Sequence, residues 1–256
     1  MKLGISIVTT IIALYASVFF AVKFGWTNVA GLVDEVELEI RPSPIWINTE
    51  EWQTLKVALI KDKSAIEQAS MATDISPRLI VAMVIPEQLR LFNDEREIFK
   101  QVFLPLKILG NQTQFSWGVA GLKPETAEQI EKNLQDKSSP FFPGEKYAHL
   151  LDFATENYGQ ERFSRIADEK NHYFAYLYTA IYVKEIIAQW QVAGFDISNQ
   201  PEILATLFNI GFANSQPKIN PQVGGSEIEL GGHNYSFGRL AYEFFHSNEL
   251  AMEFPQ

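Results

Sequence analysis

One carboxylic acid in this chain stands where acid–base chemistry is possible. Glu87 follows Leu79-Ile80-Val81-Ala82-Met83-Val84-Ile85-Pro86, eight residues without a charge. A carboxyl at the end of such an apolar helix loses water, which disfavours its ionised form and raises its pKa. A proton held near neutral pH is what a general acid needs. The same position also suits a glutamate that ends a core helix and faces solvent. Other chemistries have less to build on. The chain has no cysteine, which excludes disulfides, thiolate nucleophiles, thiolate metal sites and lipid attachment at an N-terminal cysteine. His149, His172, His233 and His246 show no close ligand spacing and read as surface or satisfied core residues. There is no HExxH, no glycine-rich phosphate loop and no GxSxG elbow. The sequence therefore implies neither a metal nor a cofactor.

Charge narrows the partners. The net charge is −10, whereas phosphate backbones are bound by clustered Lys and Arg, so no nucleic-acid partner is expected. An acidic protein also has no general attraction to an anionic wall or lipid surface. Recognition of a polymer must then come from a shaped groove.

The elements that would position Glu87 follow from hydrophobic periodicity. Residues 3–22 carry no charge and are long enough to span a bilayer as a helix. Lys2 and Lys23 flank the run, and Asp34, Glu35, Glu37 and Glu39 follow, which orients the N-terminus inside and the domain outside. A cleaved signal peptide is the alternative, although residues 19–23 lack a small-x-small cleavage site. A buried core helix is the third. The chain divides into an anchor or signal segment at 1–23, a connector at 24–48 and one domain at 49–256. Residues 36–40 alternate apolar and acidic as a short strand would, and Pro42 and Pro44 end it.

Residues 49–72 have a helical pattern, with Trp52, Leu55, Val57, Leu59, Ile60, Ile66 and Ala69 as core candidates. Ser76 and Pro77 suit the cap and first position of the helix that reaches Glu87. Further helices are expected over about 124–135, 144–157, 160–168, 173–191, 201–208 and 238–245. Residues 227–230 and 233–235, joined by Gly231-Gly232, read as a hairpin. Phe237, Leu240, Tyr242, Phe244 and Phe245 are expected to pack on the domain. The fold class is mainly α with a small β-hairpin.

Four segments carry a family resemblance. Residues Asp74-Ile75-Ser76-Pro77-Arg78 through Pro86-Glu87 resemble the helix that delivers the catalytic glutamate in soluble lytic transglycosylases, a lysozyme-like family. Ser116-Trp117-Gly118-Val119-Ala120-Gly121-Leu122-Lys123-Pro124-Glu125-Thr126-Ala127 is similar to its second motif. Asp168-Glu169-Lys170-Asn171-His172-Tyr173-Phe174-Ala175 resembles the entry to its long central helix. Ala205-Thr206-Leu207-Phe208-Asn209-Ile210-Gly211 resembles its Tyr-Asn-x-Gly motif. The four fall in family order across residues 74–211. Three positions depart: Gln88 where serine is common, Gly121 where glutamine is frequent, and Phe208 in place of tyrosine.

The resemblance implies a lysozyme-like fold and cleavage of the β-1,4 bond between N-acetylmuramic acid and N-acetylglucosamine in peptidoglycan. Glu87 would protonate the glycosidic oxygen and then take the proton of the muramoyl 6-hydroxyl, giving a 1,6-anhydro product. Ser116, Val119, Ala120, Gly121, Asn171, Tyr173, Phe208 and Asn209 would line the cleft, although Tyr173 fits a core aromatic equally well. The expected partners are peptidoglycan strands and, through the N-terminal helix, a membrane, with the domain in the periplasm. Two alternatives stay open. One is a hydrolytic muramidase, which usually needs a second carboxylate; Asp94 and Glu95 read instead as solvated loop charges. The other is a catalytically inactive glycan-binding envelope module.

Overall fold

The structure is a computed structural model that describes residues 38, 40–94 and 117–256. The apolar run at 3–22, most of the alternating stretch at 36–40, Glu95 and Ser116 lie outside the described residues. No helix among the described residues is long and apolar enough to cross a membrane.

The described residues form eight α-helices and one two-stranded antiparallel sheet. The helices are α1 (Glu50–Lys61), α2 (Lys63–Thr73), α3 (Pro77–Asp94), α4 (Pro124–Gln135), α5 (Tyr158–Ile166), α6 (Tyr173–Val192), α7 (Pro201–Ile210) and α8 (Phe237–Phe245). The strands are β1 (Glu227–Leu230) and β2 (His233–Ser236). Their register pairs Glu227 with Ser236 and Leu230 with His233. Gly231 and Gly232 both have positive φ, at 59° and 77°, as a two-residue hairpin turn demands.

Helix α3 is the axis of the domain. Ser76 accepts a hydrogen bond from Leu79 N at its start, and Pro77 opens it. Ile80, Val81, Ala82, Met83, Val84 and Ile85 are all fully buried. A helix that is apolar all round must be covered all round. Here α1, α2, α6, α7, α8 and β1 pack against it. Helix α6 has the same character, with Ala175 to Val183 buried without interruption.

Two stretches differ from the sequence expectation. The helical pattern at 49–72 is two helices, broken at Asp62. Trp52, Leu55 and Leu59 form the buried stripe of α1 at spacings of three and four. Val57 and Ile60 fall off that stripe and are 69% and 43% exposed, so they are not core residues. Residues 144–157 hold only a short 3-10 turn, Glu145–Tyr147. The backbone N–H groups of Ala154 and Thr155 donate to the Glu161 carboxylate rather than to helical carbonyls, which diverts the chain from a helix.

Arg78 holds the start of α3 to the end of the chain. Its side chain is buried, and its five N–H donors reach the carbonyls of Phe244, Phe245, Ser247, Glu249 and Phe254. Those carbonyls lie at and beyond the C-terminus of α8, where helical acceptors run out of intrahelical donors. The guanidinium also sits 4.6 Å from the Phe244 ring centroid. The entry segment is fastened to the same region. Trp46 Nε1 donates to Glu243, Trp52 Nε1 to Glu249, and Asn248 N to Pro42 O. Residues 42–48 thus pack on the domain, with Trp46 in its core.

A second polar cluster joins the α1–α2 break to α6. The Asp62 carboxylate takes the His172 imidazole at 2.6 Å and the Tyr176 hydroxyl at 2.8 Å. The hydrogen bond to Asp62 holds His172 above its ordinary pKa against the opposing burial. Burial pushes Asp62 up, but the hydrogen bonds from His172 and Tyr176, with the His172 charge, outweigh it and hold the carboxyl below its ordinary range.

Two outcomes follow. Arg78→Lys leaves three donors for five buried carbonyls and should cost about 2–4 kcal/mol, read as a lower urea midpoint. The Asp62–His172 pair should stabilise fully between the ordinary values of 3.8 and 6.5. Its contribution fades as pH rises through the raised His172 pKa, and again as pH falls through the lowered Asp62 pKa. Urea unfolding of wild type and His172→Gln from pH 5 to 9 should show their difference shrinking toward alkaline pH; a constant gap would show that the pair does not titrate as described.

Candidate active site

Glu87 lies near the end of α3, in the last described turns of that helix. Pro86 precedes it and has no N–H, so the Ala82 carbonyl lacks its helical donor just where the carboxyl emerges. Glu87 is 6% exposed. It is a buried carboxyl rather than a solvent-facing helix end, which separates the two possibilities left by its sequence position.

What covers it is the turn at 117–122. Trp117 and Leu122 form an antiparallel bridge with both backbone bonds made, at 2.7 and 3.0 Å. Gly121 N donates to Gly118 O inside it. Gly118 and Gly121 have φ of 65° and 59°, which glycine adopts without strain. Space makes the same demand. A Cβ on Gly121 would stand 2.6 Å from Glu87 Cδ, and one on Gly118 would stand 3.1 Å from Ile166 Cγ2 and 3.2 Å from Ala175 Cβ. The turn is therefore wedged between the carboxyl on one side and α5 and α6 on the other. Trp117 packs edge-on to Phe163 of α5 at 5.3 Å.

The neighbouring residues on α3 complete the arrangement. Gln88 Nε2 donates to the Val119 carbonyl at 2.5 Å, so the helix grips the turn directly beside Glu87. Arg90 reaches back one turn, with Nη2 2.6 Å from Glu87 Oε1 and Nε 3.4 Å from Oε2. Burial favours the neutral carboxyl, whereas the guanidinium favours the ionised one. The sequence expectation had weighed only the first of these. The i, i+3 spacing of Glu87 and Arg90 was the available signal for the second.

The other expected cleft residues are placed as follows. Val119, Ala120 and Gly121 belong to the turn over Glu87, with Ala120 buried. Asn171 accepts from Tyr173 N and so secures the first turn of α6, on the exposed surface. Tyr173 is half-buried beside Phe174, at 5.2 Å between rings, and burial raises the pKa of its hydroxyl. Asn209 Oδ1 accepts from Ser226 N at 2.8 Å and Ser226 Oγ at 3.1 Å, bracing the loop that leads to the hairpin. Phe208 is a core residue, 4.9 Å from the Tyr182 ring and 6.4 Å from that of Phe237. Ser116 lies outside the described residues. The structure thus brings Glu87 together with residues 117–122, and it places Phe208 in the core. Among the described residues no group of three His, Asp or Glu side chains is arranged to hold a metal ion.

The wall behind the turn is polar and buried. Arg162 of α5 pairs with both oxygens of Glu131 of α4, at 2.7 and 2.6 Å, and Tyr178 of α6 donates to the same carboxylate. One carboxylate thus joins three helices, fixing the surface on which the turn rests.

Gly121→Ala adds a methyl group where the Glu87 carboxyl lies and forces an L-residue into a left-handed backbone. A loss of about 1–3 kcal/mol is expected in thermal or urea unfolding. The Trp117 environment should shift with it, read by 19F NMR of fluorotryptophan assigned with Trp117→Phe. An unchanged resonance would show that the turn does not press on Glu87. No protein family, curated protein or solved structure matches this chain.

Proposed function

We propose that this protein is a lytic transglycosylase of the lysozyme-like type that cleaves the MurNAc–GlcNAc β-1,4 bond of peptidoglycan. The observation that carries the proposal is the Glu87 carboxyl, buried within α3 just after its apolar run and laid against a glycine-built turn. The four ordered motifs at 74–211 support it from the sequence. Protonated Glu87 donates to the glycosidic oxygen as the sugar gains oxocarbenium character. The ionised carboxylate then takes the proton of the muramoyl 6-hydroxyl, and that oxygen closes the 1,6-anhydro ring. A nucleophile on the same sugar has a high effective concentration, so no positioned water is required. The turn at 117–122 offers backbone to the sugars, and Ser116 and Asn209 orient their N-acetyl groups. The apolar run at 3–22 would hold the domain at the outer face of a bacterial cytoplasmic membrane.

The Glu87–Arg90 pair favours a second reading. A guanidinium against the carboxyl opposes the proton that a general acid must carry, which fits a module that binds glycan without cutting it.

Digestion of purified peptidoglycan with the full chain, followed by mass analysis, tests both. Anhydro-muramoyl ends are expected, with a loss of about 10²–10⁴-fold in rate for Glu87→Gln. Reducing ends in their place would identify a hydrolase. Wild type that retains glycan but releases nothing would establish the binding module.

A further inference from the structure

We propose that the domain binds a structural water molecule where α6 meets the turn after α7, held by Glu185, Tyr182 and the Phe212 backbone. Glu185 is fully buried, and its Oε1 has no hydrogen-bond partner among the described residues. Tyr182 is 1% exposed, and its hydroxyl lacks a partner too. The two residues stand at i and i+3 on α6 and so share one side of the helix. Phe212 opens the short 3-10 turn Phe212–Asn214, and its N–H has no carbonyl within that turn to donate to. The Glu185 charge bears on the Tyr182 hydroxyl, and the Phe212 N–H lies toward the same hydroxyl without completing a hydrogen bond. A carboxyl, a phenol and an amide thus converge without satisfying one another.

Buried polar groups cost free energy unless they are bonded, and a water with several polar partners is the usual way to bond them. Water donates and accepts at once. It can accept from the Phe212 N–H, bond Tyr182 in either sense, and donate to an ionised Glu185 or accept from a protonated one. The site therefore needs no particular protonation state. A monovalent cation fits less well, because the Phe212 N–H presents positive charge to it. The surroundings hold the position. The other Glu185 oxygen accepts from Asn133 of α4, whose Oδ1 takes Gln129 and Ser139. The Phe212 ring lies 4.2 Å from that of Tyr182, which packs the turn directly on α6. The water joins α6, and through Asn133 α4, to the chain just after Asn209.

A crystal structure of the full chain at about 2 Å, grown in rubidium chloride, tests the site. The expected result is one ordered peak within hydrogen-bond distance of Glu185 Oε1 and Tyr182 Oη, with no anomalous signal. An anomalous peak identifies a cation and overturns the water. A direct bond between the two side chains, with no density between them, overturns the site. Urea unfolding supplies a measurement in solution. Tyr182→Phe and Glu185→Met should each lower the folding equilibrium constant about tenfold, and the double variant about thirtyfold or less, since either loss releases the shared water. Hydrogen exchange at residues 211–215 should quicken in both single variants. Losses that multiply to about a hundredfold in the double variant would show that the two residues share no ligand.

Discussion

The complete burial of α3 is the constraint to which the rest of the domain answers. A helix with apolar residues on every face has no side to give to water, so six other elements close around it. The cost falls on the polar side chains it carries inward. Arg78 and Glu87 are nine residues apart, roughly 13 Å along the axis. Each is almost without solvent, and each needs a counterpart. The chain meets the two needs differently. Arg78 is answered by five backbone carbonyls, which cannot move without unravelling the end of α8. Glu87 meets the guanidinium of Arg90, a side chain of its own helix that is 30% exposed.

The region opposite Glu87 is built to stay still. The turn at 117–122 is closed by paired backbone bonds and pinned by Gln88. Its back rests on α5 and α6, which Glu131, Arg162 and Tyr178 tie to α4. A further buried pair, Asn133 donating to Glu185, joins α4 to α6. Burial pushes the Glu185 carboxyl well above its ordinary pKa, against the Asn133 hydrogen bond, which favours the charged form. Rigidity of this kind matters for a carboxyl with one neighbour of no side chain: any slack in the turn would admit water and undo the desolvation.

Much of this was legible from local pattern. The Ser76-Pro77 start, the Pro124 start, the long α6 and the hairpin around Gly231-Gly232 each have a short-range cause, and each stands where its residues indicated. What was not legible depends on partners distant in sequence. Val57 and Ile60 fit a generic helical pattern, and only the neighbours of α1 decide that its stripe is Trp52, Leu55 and Leu59. The stretch after Gly144 has ordinary helix formers, yet Glu161 captures its backbone donors from outside. The site divides along the same line. Glu87 was marked by the apolar run before it. Gln88 and Arg90 were in view beside it, but the grip on Val119 spans 31 positions. Nothing in residues 78–90 alone distinguishes an arginine buried among carbonyls from one that salts a glutamate.

The departures of this chain from its family resemblance also have a local logic. Glycine at 121 is imposed twice, by a left-handed backbone and by the carboxyl occupying the space of its side chain. An amide side chain from that position would have to displace Glu87. Gln88 supplies an amide from the opposite partner instead, reaching from the helix to the turn. The two residues act on one contact: Gly121 lets the turn lie against the carboxyl, and Gln88 holds it there. Contact with the turn keeps water from the Glu87 carboxyl, and charges attract more strongly where water is excluded, so the same contact strengthens the pairing with Arg90.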